Sequence, residues 1–220
     1  MKITTQSILS LTAVAAALSA AASAEAGFVY ASSLRAIALI SPAGISSAAS
    51  SSFGDFLEFR GYNAPSVSGS VQQGSTLGVD SMSFGAFTQL FSNAANFGGP
   101  LDANSLSSVV FTVDSSMLAA ISVGTALQSS GAGAANGVSV VLREVATGNV
   151  LYSANSSVND TLELTLVSGL SYQLDVSTAA SVASGVGNSF TNYSVSISAV
   201  PAPGVLATFG LAAMARRRRR

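Results

Sequence analysis

The sequence predicts an all-β fold: a single antiparallel β-sandwich or jelly-roll-like domain, carried between an N-terminal signal peptide and a short C-terminal apolar helix. Three observations predict it. Apolar residues in the body recur at every second position, the period of a strand with one covered face. The alternating runs are short and separated by Gly, Ser and Asn clusters, the punctuation of sandwiches and barrels. No stretch of the body shows the apolar spacing of an amphipathic helix. A chain of 220 residues then holds one ordinary domain plus processing segments: 1–24 as signal peptide, 25–199 as the β domain and 200–220 as a tail.

In chain order, strands are expected near Phe28 to Ile40, Leu77 to Phe87, Val109 to Val113 and Leu118 to Val123. The Ala, Gly and Ser rich stretches from about Ser41 to Ser52 and Ser129 to Asn136 read as loops, as does Arg60-Gly-Tyr-Asn63. Val138 to Leu142 and Val150 to Tyr152, joined through Ala146-Thr-Gly-Asn149, read as a hairpin. Thr161 to Leu166 places Leu162, Leu164 and Leu166 on one face and Thr161, Glu163 and Thr165 on the other. After the turn signal Ser168-Gly169, Tyr172 to Val176 alternates again. These two runs read as a second antiparallel hairpin with one wet face. Tyr193 to Ala199 closes the domain, with Tyr193, Val195 and Ile197 on one face and serines on the other.

Composition narrows the function classes. Charged residues make up 9% of the chain, against about 25% in ordinary soluble domains. The polar surface must come from Ser, Thr, Asn and Gln, a pattern that suits a surface or matrix protein better than a cytosolic enzyme. Outside the two ends only Arg35, Arg60 and Arg143 are basic, and with all ten acidic residues there the body stands near −7. Phosphate neutralisation needs clustered Lys and Arg, so nucleic acid is excluded as a partner.

The chain has no Cys and no His. This removes thiol catalysis, Cys-ligated metals, the commonest general base and any Ser-His-Asp triad. Asp55 and Glu58 are the closest acidic pair in the first half, and they read as solvated surface charge. Asp80, Asp102, Asp114 and Asp160 are oxygen donors of the kind calcium takes, without the spacing of a calcium loop. The expectation is therefore a non-enzyme with no catalytic residues, cofactor or metal. Tyr62 is the best exposed aromatic for a sugar contact; its alternative is a ring folded over the rim of the sandwich.

The two ends carry addresses. Lys2 is a positive start, Ile8 to Leu18 an apolar run, and Ala22-Ser23-Ala24 offers the small residues that signal peptidase reads at Ala22 and Ala24. A cut after Ala24 is expected, with Ala24-Glu25-Ala26 as the near alternative. At the other end stand Val200-Pro201-Ala202-Pro203-Gly204, an uncharged run from Val205 to Ala215, and Arg216, Arg217, Arg218, Arg219 and Arg220. The prolines cannot continue a ladder or a helix, so they mark the end of the folded domain. The uncharged run is eleven residues, about 16 Å as a helix, while a bilayer core needs about 30 Å. It suits a transient stop held by the arginines on the cytoplasmic side better than a permanent tail anchor.

This order of Pro-x-Pro, short apolar helix and Arg run resembles the PEP-CTERM sorting signal, a tail also catalogued as an ice-binding protein C-terminal region. In that family the first motif is usually Val-Pro-Glu-Pro; here Ala202 stands in place of Glu. The resemblance implies export by a Gram-negative-type bacterium that makes exopolysaccharide. It further implies transient tethering to the inner membrane, a cut near Pro203 by an exosortase-type membrane protease, and delivery to the cell surface or extracellular matrix. The body is also similar to the β-rich ectodomains found ahead of such tails, through Tyr30 to Arg35, Gly169 to Tyr172 and Tyr193 to Ala199. The label's ice binding would need arrays of Thr-x-Thr on one sheet, and Thr161 with Thr165 does not make one. The expected function is an exosortase-sorted envelope or matrix protein in a structural or interaction role. The alternative is a carbohydrate-binding module for exopolysaccharide.

Overall fold

The computed structural model describes residues 26–95, 98–131, 133–183 and 185–200. The expected signal peptide, Pro201 to Gly204, the apolar tail helix and the arginine run lie outside them. The described residues form strands and no helix: β1 Phe28–Ser41, β2 Gly44–Ser50, β3 Phe56–Ala64, β4 Val67–Leu77, β5 Ser81–Asn93 and β6 Leu101–Val113 in the first half. β7 Met117–Gly131, β8 Ala134–Glu144, β9 Val150–Ala154, β10 Val158–Leu166, β11 Tyr172–Val182 and β12 Val186–Ala199 follow. They build two six-stranded sheets, ordered β2-β1-β6-β11-β8-β9 and β10-β7-β12-β5-β4-β3. All pairings are antiparallel. Inward side chains of both sheets share their core clusters, so the fold is sandwich-like.

Alternation explains which faces are buried. In β5, Met82, Phe84, Ala86, Thr88, Leu90 and Ser92 point inward between exposed or half-exposed neighbours. In β1 the inward parity changes along the strand. A bulge between Tyr30 and Ser32 adds one residue, so Phe28 faces inward before it and Ser33, Arg35, Ile37 and Leu39 after it.

The interior has two apolar clusters. The larger gathers Phe111, Tyr193, Ile121, Leu174, Leu142 and their neighbours; the smaller holds Ile37, Leu39, Val71, Leu90 and Leu101. Polar side chains are buried between the same rows of strand residues: Gln73, Thr88, Ser105, Ser107, Thr178 and Thr191. Tyr193 Oη lies 3.4 Å from Ser107 Oγ, and burial pushes its hydroxyl pKa up.

The hairpin expected from Val138 to Tyr152 forms as β8 and β9, with Leu142 opposite Tyr152 and Gly148 at φ 70° in the turn. The second expected hairpin does not form. β10 pairs with β7 in one sheet, whereas β11 pairs with β6 and β8 in the other, so the link through Gly169 (φ 84°) crosses between sheets. Partner choice here follows burial. Tyr172, Leu174 and Val176 are all buried on the inner face of the first sheet, while β10 is an edge strand whose Leu162 is 42% exposed.

Tyr172 closes that arch. The Val167 N–H donates to Tyr172 Oη at 2.7 Å, and the hydroxyl in turn donates to Val167 O at 3.4 Å. Tyr172→Phe is expected to lower stability by about 1 kcal/mol, the worth of one such bond, without changing the fold. Urea denaturation beside the parent chain measures it; an unchanged midpoint would detach the hydroxyl from the arch.

The Ser41–Ser52 and Ser129–Asn136 segments are more ordered than their composition suggests. β2 occupies most of the first, and β7 and β8 extend into the second. β3 and β4 are strands the sequence does not announce, because β4 buries Gln73 and Ser75 where an apolar residue would be expected.

Candidate functional site

The carboxylates are dispersed. Glu58 forms an ion pair with Arg60 at 2.8 Å, and Asp175 forms one with Arg143 at 3.2 Å. Asp175 also accepts from Ser108 Oγ at 2.6 Å and Gln173 Nε2 at 2.9 Å, which makes it part of a polar ladder on the outer face of the first sheet. No group of three acidic side chains comes together to hold a metal ion among the described residues.

Asp114 has a structural task. Its Oδ1 accepts the Gly27 N–H at 2.9 Å, and the Asp114 N–H donates back to Gly27 O at 3.2 Å, pinning the start of β1 to the turn after β6. The Gly27 bond, helped by Ser115, holds its carboxyl below the ordinary carboxylate range. A carboxyl depressed in the folded state stabilises above its unfolded pKa, about 4, and that contribution disappears as pH falls through the folded value. Asp114→Asn is therefore expected to narrow the stability difference between pH 7 and pH 3, read from melting temperatures at both. An unaltered difference would mean that the Gly27 contact does not form.

Arg35 is wholly buried and belongs to neither ion pair. Its Nη1 donates to Gly54 O at 2.8 Å and Ser75 Oγ at 3.0 Å, and its Nη2 donates to Ser52 O. The guanidinium also lies 5.5 Å from the Phe56 ring centroid. Burial lowers its pKa, and nearby Asp55 raises it in part. The residue is a brace for the link between β2 and β3. Tyr30 is likewise structural: its hydroxyl donates to Gly78 O at 2.6 Å, and burial pushes its pKa up to about 12.

The sugar-contact residue of the sequence analysis, Tyr62, lies in strand β3 opposite Gly69 and not in a loop. Its half-buried ring packs on the smaller core cluster at the rim, the alternative weighed for it. It nevertheless borders an open groove of about 510 Å³ lined by Phe59, Gly61, Asn63, Ser68, Ser70 and Gln89 as well. Gly61, Ser70 and Gln89 share one cross-strand row on the outer face of the second sheet, flanked by Phe59 on one side and Asn63 with Ser68 on the other.

Sequence reasoning did not find Phe59. In β3 the usual polarity is inverted: Leu57 and Phe59 are 72% and 55% exposed, while Glu58 and Arg60 share the opposite face as an ion pair. Arg60 also donates from Nε to Ser47 O at 3.3 Å, which joins the edges of the two sheets. The detectable signal is an apolar pair at alternate positions, Leu57 and Phe59, interleaved with the charge pair Glu58 and Arg60, in a segment bounded by Gly54 and Gly61.

No protein-family model matches the chain, and no curated protein matches it. No helix among the described residues is long and apolar enough to cross a membrane.

Proposed function

We propose that the chain is an exported cell-envelope or extracellular-matrix protein, sorted through its tail by an exosortase-type protease, with a non-catalytic structural or interaction domain of β-sandwich type. The observation that carries this reading is the way the domain ends. β12 runs between β7 and β5, and the ladder continues until the Val200 N–H donates to Leu118 O at 2.8 Å. Pro201 follows directly and has no N–H to continue it. The first residue of the motif thus makes the last described hydrogen bond of the sheet and is followed by a proline, a favourable position for a protease that needs an extended segment. Ala26 packs against the larger core cluster, which favours signal cleavage after Ala24 over cleavage after Ala26.

Intact mass of the protein recovered from envelope and medium fractions of its host tests this reading. Loss of the residues up to Ala24 and of everything after about Pro203 is expected. Retention of Arg216 to Arg220 in the exported form would replace sorting by a plain membrane tail.

A second reading, a carbohydrate-binding module for exopolysaccharide, is favoured by the groove beside Phe59. An exposed aromatic next to amide and hydroxyl side chains on a rigid sheet is a chemistry that suits sugars.

A further inference from the structure

We propose that the groove over Gly61 is the binding site of this second reading, that its ligand is an uncharged pyranose polysaccharide, and that Phe59 is the platform on which one sugar ring stacks. The inference rests on that reading and adds to it a site, a ligand class and a contact residue.

The Phe59 ring lies over Gly61. A Cβ on Gly61 would lie 2.9 Å from Phe59 Cε1 and 3.1 Å from its Cζ, so the ring leans over the bare glycine backbone. Any other residue at position 61 would displace it. With 55% of the residue exposed, the ring offers surface to solvent. The ring contributes nothing to either core cluster. The C–H face of a pyranose covers such a ring, gaining apolar burial and C–H to π contacts.

Amide and hydroxyl side chains surround the ring. Gln89 and Asn63 each bring an amide donor and acceptor, and Ser68 and Ser70 bring hydroxyls, which match vicinal sugar hydroxyls. The groove, about 510 Å³, is open to solvent and not enclosed, which suits a chain lying across the sheet.

No lining residue is charged. The body's three arginines are all engaged, Arg35 under the β2–β3 link, Arg60 with Glu58 and Arg143 with Asp175. Against ten acidic residues they leave a field that repels uronate or sulfate chains. The groove therefore selects a neutral chain.

Affinity electrophoresis of the full chain in detergent, in gels carrying dextran, galactomannan, hydroxyethyl cellulose or alginate, tests the proposal. Retardation by at least one of the three neutral polymers and none by alginate is expected. Phe59→Ala should weaken that retardation about tenfold. Gly61→Ala should weaken it less, by lifting the ring, and both variants should melt with the parent. Undiminished retardation of Phe59→Ala overturns the site while leaving carbohydrate binding standing. Stronger retardation by alginate overturns the ligand class. Retardation by none of the four polymers removes the site and the second reading together and leaves tail sorting untouched. A concentration-dependent dimer abolished by Phe59→Ala would assign the face to a second copy of the chain and overturn the proposal.

Discussion

Replacing Phe111 by Ala is expected to lower the unfolding free energy by about 3–5 kcal/mol, the range for a fully buried ring whose cavity cannot collapse. Phe111 has no exposed surface and sits on β6, the strand flanked by β1 and β11. It stands opposite Tyr30 on one side and Tyr172 on the other. Its ring meets Phe28 edge-on at 5.5 Å between centroids and Tyr172 at 5.7 Å. The loss therefore removes apolar burial and aromatic contacts in one place. Against a total of about 5–15 kcal/mol, it would bring the domain near its unfolding threshold. Guanidinium titrations of both proteins give the difference from the midpoint at constant slope. The melting temperature should fall by roughly 6–20 °C. A loss under about 1 kcal/mol would place the ring outside the core.

Gly131→Ala is the second large effect, and it acts through the backbone. Gly131 has φ 90°, where an L side chain is strained. An added Cβ would stand 2.2 Å from Val186 O and 2.7 Å from Gly187 Cα, with no flexible side chain to yield. Gly131 and Gly187 are paired at the end of the β7–β12 ladder, so relief requires that end to open. A cost of about 2–4 kcal/mol is expected from strain and overpacking combined. Gly137→Ala is the control: nothing lies within 4 Å of its added Cβ, and its effect should stay within about 0.5 kcal/mol. Equal midpoints for the two variants in urea would contradict the close approach at Gly131.

Several strands were legible because burial and polarity alternate on them without interruption. Tyr193, Val195 and Ile197 are buried between serines, as the period predicts, although β12 begins earlier, at Val186. Its first half carries Asn188, Ser189 and Thr191, whose inward members are polar, so the apolar period is silent there. The same cause hid β4. Of the candidate site, the sequence points to the segment around Tyr62 by its aromatic, but the exposed ring is the one three positions earlier. Phe59 and Tyr62 differ by an odd number of residues and so project to opposite faces of β3.

The sequence by itself determined the all-β class, the placement of β1, β8 and β9, and the near absence of positive charge from the body. These follow from local period and composition, which need no knowledge of neighbours. Only the tertiary structure decided which strands pair. Thr161 to Leu166 and Tyr172 to Val176 have the pattern of a hairpin, yet they lie in opposite sheets. A strand's alternation says that one face must be covered and leaves open what covers it. That choice is settled by packing across the two sheets. Tyr172, Leu174 and Val176 gain full burial beside β6 and β8, while β10 finds its ladder along β7. The same long-range packing turned Glu58 and Arg60 toward the rim and left Phe59 facing water.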